Sequence, residues 1–404
     1  MAIAEMLDAT VKSEAIGRCG DLVIERVYDI SAIKAEWEAL QRQGTSCLYQ
    51  NFNWIRIAYD TFEAQNEPVV ITGHSNDGLK FIIPMVLENG FVKKLRWPGG
   101  SHANICSGLF SEDYLKLSPE KQMVKRIFEL IGKSINGMAA TALSKQPFKL
   151  KGYDNPLLVL PFEKSVNLMF EMDLTVGHQE ILDMGNGRRR RKLWSKQRRT
   201  ADEMGGYELY IPKTHDEIRQ SLSEFRRHKA ARFKEMGIKD VFGDEEAISF
   251  LESLALFPQK GDVQLFRIFE LRVGGKTRAM YGCGINGDIC QACVNSIVQD
   301  DFAGHSPNEM IMYVVVQHLC DEGFKSFDLG VGEERYKHNW CQHKYELFDT
   351  IIPLSKAATP LVYAMQTQVQ IKGKLRRNDF FWKHFKNARK MKAQLLNVKG
   401  DKEK

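Results

Sequence analysis

The sequence predicts an α/β (α+β) chain of two tandem lobes, each a mixed, mostly antiparallel sheet flanked by helices, and three observations predict it. At 404 residues the chain exceeds what one hydrophobic core supports. Its second half holds three strand-like runs separated by glycine turns, then a helix start and a further strand. Its first half repeats that order.

In the second half, residues 263–273 read as a strand, Gly274-Gly275 as a two-residue hairpin turn and residues 276–285 as a second strand. Asn286-Gly287 reads as a type I′ turn and residues 288–298 as a third strand, completing an antiparallel meander. Ser306-Pro307-Asn308-Glu309 then presents a hydroxyl, a first-turn proline and a glutamate three residues on, the pattern of a capping box. The helix it opens carries Met310, Ile311, Val314, Val315 and Leu319 on one side, and Gly323 ends it before a strand over 325–330. In the first half, strands over 68–74, 79–88 and 91–97 are punctuated by Asn76-Asp77-Gly78 and Asn89-Gly90, and Ser118-Pro119-Glu120 caps a helix bearing Val124, Ile127, Phe128 and Ile131. Upstream, a strand over 22–28 and helices over 32–43 and 52–64 match a strand over 207–212 and helices over 215–236 and 245–256, the longest of them opened by Thr214-x-x-Glu217. The lobes are expected at 20–165 and 166–360, with a basic helix over 188–204 in the second and a basic tail or helix over 361–404.

Composition excludes several classes. Hydrophobic residues make up 43% and charged residues 27% of the chain, with 12 prolines, so collagen-like and disordered classes drop out. The longest uninterrupted apolar run, Met310–Val316, is far short of a membrane span, and the acids at Glu5, Asp8 and Glu14 argue against a signal peptide. Eight cysteines without framework spacing fit reduced thiols, and Cys290 and Cys293, three apart on a strand, do not clasp a metal. A cytoplasmic protein, peripheral at most to the inner membrane face, is the expectation. The charge is segregated: residues 371–404 hold 12 Lys and Arg against 3 acids, and Arg188–Arg199 adds eight more cations. Such segments suit polyanions: phosphates of a nucleotide-bearing substrate, anionic lipid or nucleic acid, with nucleic acid ranked last.

The strand, two helices, meander, helix and strand order resembles the GCN5-related N-acetyltransferase (GNAT) fold. Two such units in tandem resemble Fem-type aminoacyl transferases and the CelD/BcsL (BioF2-like) acetyltransferase group. The resemblance rests most on Ser306-Pro307-Asn308, on Phe327-Asp328-Leu329-Gly330, on Tyr336-Lys337 followed by Trp340, and on His228-x-x-x-Arg232. It implies an acyl-CoA co-substrate, acetyl-CoA or another acyl-CoA, whose pyrophosphate rests at the loop and helix start of Gly304, His305, Ser306 and Asn308, where amides and the helix dipole favour anions. Within that loop, however, Asp300, Asp301 and Glu309 carry the unfavourable sign and Pro307 removes one amide. It further implies a catalytic set of Lys337 for the developing oxyanion, Asp328 or Glu333 as base and Tyr336 as acid. His102, Asn104, His228 and Arg232 are the acceptor-binding candidates.

The expected function is therefore acyl-CoA-dependent N- or O-acyl transfer, by direct attack of an amine or sugar hydroxyl on the thioester, in polysaccharide or cell-envelope synthesis. The alternatives are a Fem-like transferase using aminoacyl-tRNA and a GNAT-like binding protein without catalysis. No histidine and acid are arranged around Cys341, which disfavours a covalent cysteine mechanism.

Overall fold

The computed structural model describes residues 12–43, 47–137, 139–257 and 264–377. In chain order the principal elements are β1 (Ser13–Cys19), β2 (Leu22–Val27), α1 (Lys34–Gln43), α2 (Phe52–Asp60), β3 (Glu67–Ser75), β4 (Gly78–Glu88) and β5 (Lys93–Arg96). They continue with α3 (Val124–Ser134), β6 (Ala139–Pro147), β7 (Glu163–Asp173), α4 (Gly187–Glu203), β8 (Tyr207–Tyr210), α5 (His215–Met236) and α6 (Glu245–Ala255). The chain ends in β9 (Phe266–Val273), β10 (Lys276–Asn286), β11 (Ile289–Ile297), α7 (Pro307–Asp321), β12 (Ser326–Val331), α8 (Arg335–Trp340), β13 (His343–Pro353) and α9 (Thr359–Arg377).

Two compact units result. Among the described residues, one comprises 12–167 together with Glu346–Lys374, and the other comprises Leu168–Tyr345 and 375–377. In the first, strands run β1-β2-β3-β4-β5-β6-β13. All pairs are antiparallel except β5 with β6. In the second, the order β8-β9-β10-β11-β12-β7 reproduces that pattern, the parallel pair being β11 with β12. The expected duplication is therefore present, with α1 and α2 standing where α5 and α6 stand, and α3 where α7 stands.

The expected division at 360/361 differs from these units. From Leu347 onward β13 pairs with β6, Leu347 opposite Pro147 and Pro353 opposite Ala140, which draws residues 346–360 into the first unit. Of the basic tail or helix expected over 361–404, residues 378–404 lie outside the described residues.

Local chemistry explains most boundaries. The Thr214 hydroxyl accepts from the Glu217 amide, and Glu217 returns the bond to the Thr214 amide, while Gly237 at φ +63° ends α5. Gly274 and Gly275 both take positive φ, as a tight two-residue turn requires. Four expectations are corrected. Asn286 is the last strand residue, paired with Ile289, and Gly287 alone takes positive φ, so that turn is not type I′. Asn89-Gly90 lies in a longer loop, because Glu88 pairs with Lys94. The helix after Ser118 is broken at Met123, which sits at φ +52° between Pro119–Gln122 and α3. Ser306 does not form a capping box: it lies at φ +57°, ψ +59°, and its side chain makes no cap bond.

The core of the second unit brings Phe269, Tyr281, Met310, Val315, Leu319, Phe327 and Trp340 together between the sheet and α7. At roughly 25 cal/mol per Å² of apolar burial, such a cluster is the main force fixing α7 to the strands. Among the described residues no helix is long and apolar enough to cross a membrane.

Candidate active site

The site begins with a gap in the second sheet. Parallel pairing between β11 and β12 covers Ile289 with Ser326, Cys290 with Phe327 and Gln291 with Asp328, and stops there. Beyond that point β11 stays paired to β10, with a register shift that bulges at Cys293, and β12 runs on to Val331. The two strands therefore diverge from Asp328 onward. The first unit opens in the same way after Leu95 and Thr141.

Asp328 stands at the fork. It is 2% exposed, its Oδ2 accepts from Gln291 Nε2 at 2.8 Å and its Oδ1 accepts from the Gly330 amide at 2.7 Å. Burial pushes its carboxyl up to about 6, the two hydrogen bonds and the Lys337 charge holding it from going higher. Lys337, 4% exposed, donates to Val331 O at 2.8 Å and Gly330 O at 3.5 Å and pairs with Glu334 at 3.1 Å. Its three protons thus all face acceptors of the turn joining β12 to α8. Glu333 is exposed at that turn.

Tyr336 is half-buried, and burial holds its phenol well above the usual range. Its hydroxyl is hydrogen-bonded to Tyr281 on β10, a residue 1% exposed whose own hydroxyl donates to Asn308 Oδ1 at 3.3 Å. Tyr281 also bonds Asn295 of β11. Asn308 and Tyr336 are thus linked through a side chain that sequence reasoning passed over, because a mid-strand tyrosine carries no motif.

The helix start is held from α4. Gln197, 1% exposed, donates to His305 O at 2.7 Å and Ser306 O at 2.9 Å. Ser306 precedes a proline, which disfavours the right-handed helical region for it, and the left-handed conformation costs about 1–2 kcal/mol. The bonds from Gln197 fix that strained turn. Replacing Gln197 with leucine is expected to lower stability by about 1–3 kcal/mol, read from thermal unfolding, since two part-buried carbonyls lose a donor. The signal was present in the sequence: Arg190, Gln197 and Ala201, buried at spacings of seven and four, mark the inner stripe of an otherwise cationic helix. Gly304 is exposed, and the His305 ring stacks on Phe302 with centroids 5.3 Å apart.

A cleft of about 280 Å³ opens beside this turn, lined by Arg189, Arg190, Ser306, Glu309, Arg335 and Tyr336 among others. Arg190 is spent on structure, donating to Ile181 O, Leu182 O and Asn339 O and lying 4.1 Å over the Trp340 ring. Trp340 Nε1 in turn donates to Glu309 at 2.8 Å. Arg189 and Arg335 are exposed and supply the cations that the loop itself lacks. The acids Asp300 and Asp301 do not face a ligand: Arg278, 2% exposed, donates to both, at 2.7 Å for Asp300. The unfavourable sign expected from the sequence is partly offset by a residue more than twenty positions upstream.

On α5, His228 is buried; Arg227 donates to its Nε2 at 2.9 Å, and burial lowers its basicity. Arg232 is half-buried. Between them Lys229 reaches Asn295 Oδ1 at 3.5 Å and lies over the Phe233 ring, and burial pushes its ammonium down to about 8. This lysine, adjoining the tyrosine pair through Asn295, is a further candidate that the sequence did not single out. His102 and Asn104 lie in the first unit, in the loop after β5, where the His102 ring stacks on Phe62 at 4.5 Å. Burial pushes the Cys341 thiol up to about 12, away from the thiolate that a covalent mechanism needs.

Residues 187–338 match the family model described as an acetyltransferase (GNAT) domain. The chain is similar in structure to FemX, at 11% identity with a TM-score of 0.57, over 82% of this chain and 98% of that one. It is also similar to L-PGS from Bacillus licheniformis, at 12% identity with a TM-score of 0.50, over 81% and 95%. A third similar structure is a conserved protein of unknown function from Bacteroides thetaiotaomicron, at 14% identity with a TM-score of 0.51, over 80% and 97%. Comparison with curated proteins returned no match. Residues 187–338 are therefore similar to a GNAT acetyltransferase domain, in a chain that shares its fold with FemX.

Proposed function

We propose that the protein is an acyl-CoA-dependent acyltransferase, allied to the CelD/BcsL group and acting on an amine or sugar hydroxyl of a glycan or cell-envelope precursor in the cytoplasm. The observation that carries this reading is the fork between β11 and β12 with an arginine-lined cleft beside it. A strand gap gives a thioester an extended seat, and the α7 start with Arg189 and Arg335 suits its phosphates. Gly304, His305, Ser306 and Asn308 form that seat's rim.

In the proposed reaction the nucleophile's lone pair forms the new bond to the thioester carbon, Glu333 takes its proton, and the C–S bond breaks. Tyr336, kept protonated by burial, donates its proton to the departing sulfur. Lys337 holds the Gly330–Val331 turn and lends positive charge to the oxyanion side, and Asp328 fixes the fork. His102, Asn104, His228 and Arg232 are proposed acceptor contacts. The test is thiol release from acetyl-CoA and longer acyl-CoAs against a panel of amines and sugars, with thermal shift as an independent readout. A melting-temperature rise at millimolar acyl-CoA is expected by mass action on the native state. No shift with any acyl-CoA would exclude this donor.

One observation favours a second reading, aminoacyl-tRNA as donor: α4 exposes Arg188, Arg189, Arg191, Lys192, Lys196, Arg198 and Arg199. Tight, steeply salt-dependent RNA binding would support it.

A further inference from the structure

Helix α9 is amphipathic with its apolar residues on two sides. Its inner side is docked on the first unit: Val362 is 2% exposed, Gly373 lies against Val166, and Gln366 donates to Ile351 O at 2.8 Å. On the opposite side Ile371 is 54% exposed and Leu375 49%, and Tyr363, 70% exposed, stands on the flank between the two sides. No described residue covers that stripe. The helix carries Lys372, Lys374, Arg376 and Arg377 and no acid. The chain beyond it, residues 378–404, adds eight Lys and Arg against three acids, interleaved with Phe380, Phe381, Trp382 and Phe385.

We propose that the outer face of α9 is a docking surface for an anionic lipid membrane. An exposed apolar stripe without acids, continued by a cationic aromatic segment, has the composition of a helix that lies in the headgroup plane. A second copy of this chain is disfavoured as occupant, because two such faces would bring like charges together without a counter-charge. The chain's own segment after residue 377 is disfavoured on the same ground, being net positive itself. Apolar contact and attraction to anionic headgroups act together there, so affinity depends on both stripe and salt. The surface is independent of the reaction proposed above.

The experiment is co-sedimentation of the full-length protein with phosphatidylcholine vesicles, with and without phosphatidylglycerol. Binding is expected only to the anionic vesicles, weakening as salt rises. The double variant Ile371→Glu with Leu375→Glu, both exposed and so neutral for folding, is expected to bind roughly tenfold more weakly or worse at unchanged melting temperature. Wild-type protein that ignores anionic vesicles overturns the proposal. So does a double variant that binds as wild type, which would assign capture to charge elsewhere. A double variant that binds vesicles unchanged but converts a sedimenting dimer to monomer would assign the stripe to a second copy instead.

Discussion

Asp328→Asn is expected to stabilise the protein at neutral pH by up to about 3 kcal/mol. The carboxyl is buried at the fork and burial lifts it from 3.8 to about 6, so the folded protein holds this proton more tightly than the unfolded chain does. Between those two values the native state binds more protons, and stability falls as pH rises. The penalty is absent below about 4 and complete above about 6. Asparagine carries no charge to desolvate, keeps an oxygen for the Gly330 amide, and meets Gln291 once that amide turns over. Chemical denaturation from pH 4 to pH 8 checks this. The wild type should lose ground to the variant across that window, and parallel curves would refute the argument.

Lys337→Met acts in the opposite direction and on two readouts. The ammonium is 4% exposed and satisfies Val331 O and Gly330 O while pairing with Glu334. Its loss leaves buried carbonyls without a donor, at a cost of about 2–4 kcal/mol. Because Lys337 is among the groups that lower Asp328, the variant should also move the Asp328 midpoint higher in the same pH series. Under the proposed reaction, turnover should fall by at least about a hundredfold with donor affinity nearly unchanged. A surface lysine would show neither effect.

The sequence made the element order legible because local chemistry sets it. Thr214 with Glu217 and Gly237 bracket α5, and Gly274-Gly275 set the β9–β10 turn. The fork at Asp328 is set by where the parallel pairing of β11 with β12 ends, which no local motif marks. Less legible were features decided by distant residues. Ser306 with Glu309 reads as a capping box, yet Gln197, over a hundred positions earlier, binds the Ser306 carbonyl and Trp340 claims Glu309. Asp300 and Asp301 look hostile to phosphate until Arg278 is seen to occupy them. Lys229 shows nothing in a basic helix until Phe233, Phe242 and Asn295 surround it. Periodicity encodes which face is buried, and it does not encode which buried polar groups meet.

The pairing of β13 with β6 has a consequence for synthesis. Leu347 must reach Pro147, so the first unit's sheet keeps a raw edge at β6 until the ribosome has delivered some two hundred further residues. At elongation rates of about 5–20 residues per second, that interval is roughly ten to forty seconds. An open hydrogen-bonding margin for that long invites mispairing, so the nascent chain has reason to lean on a chaperone until β13 is delivered.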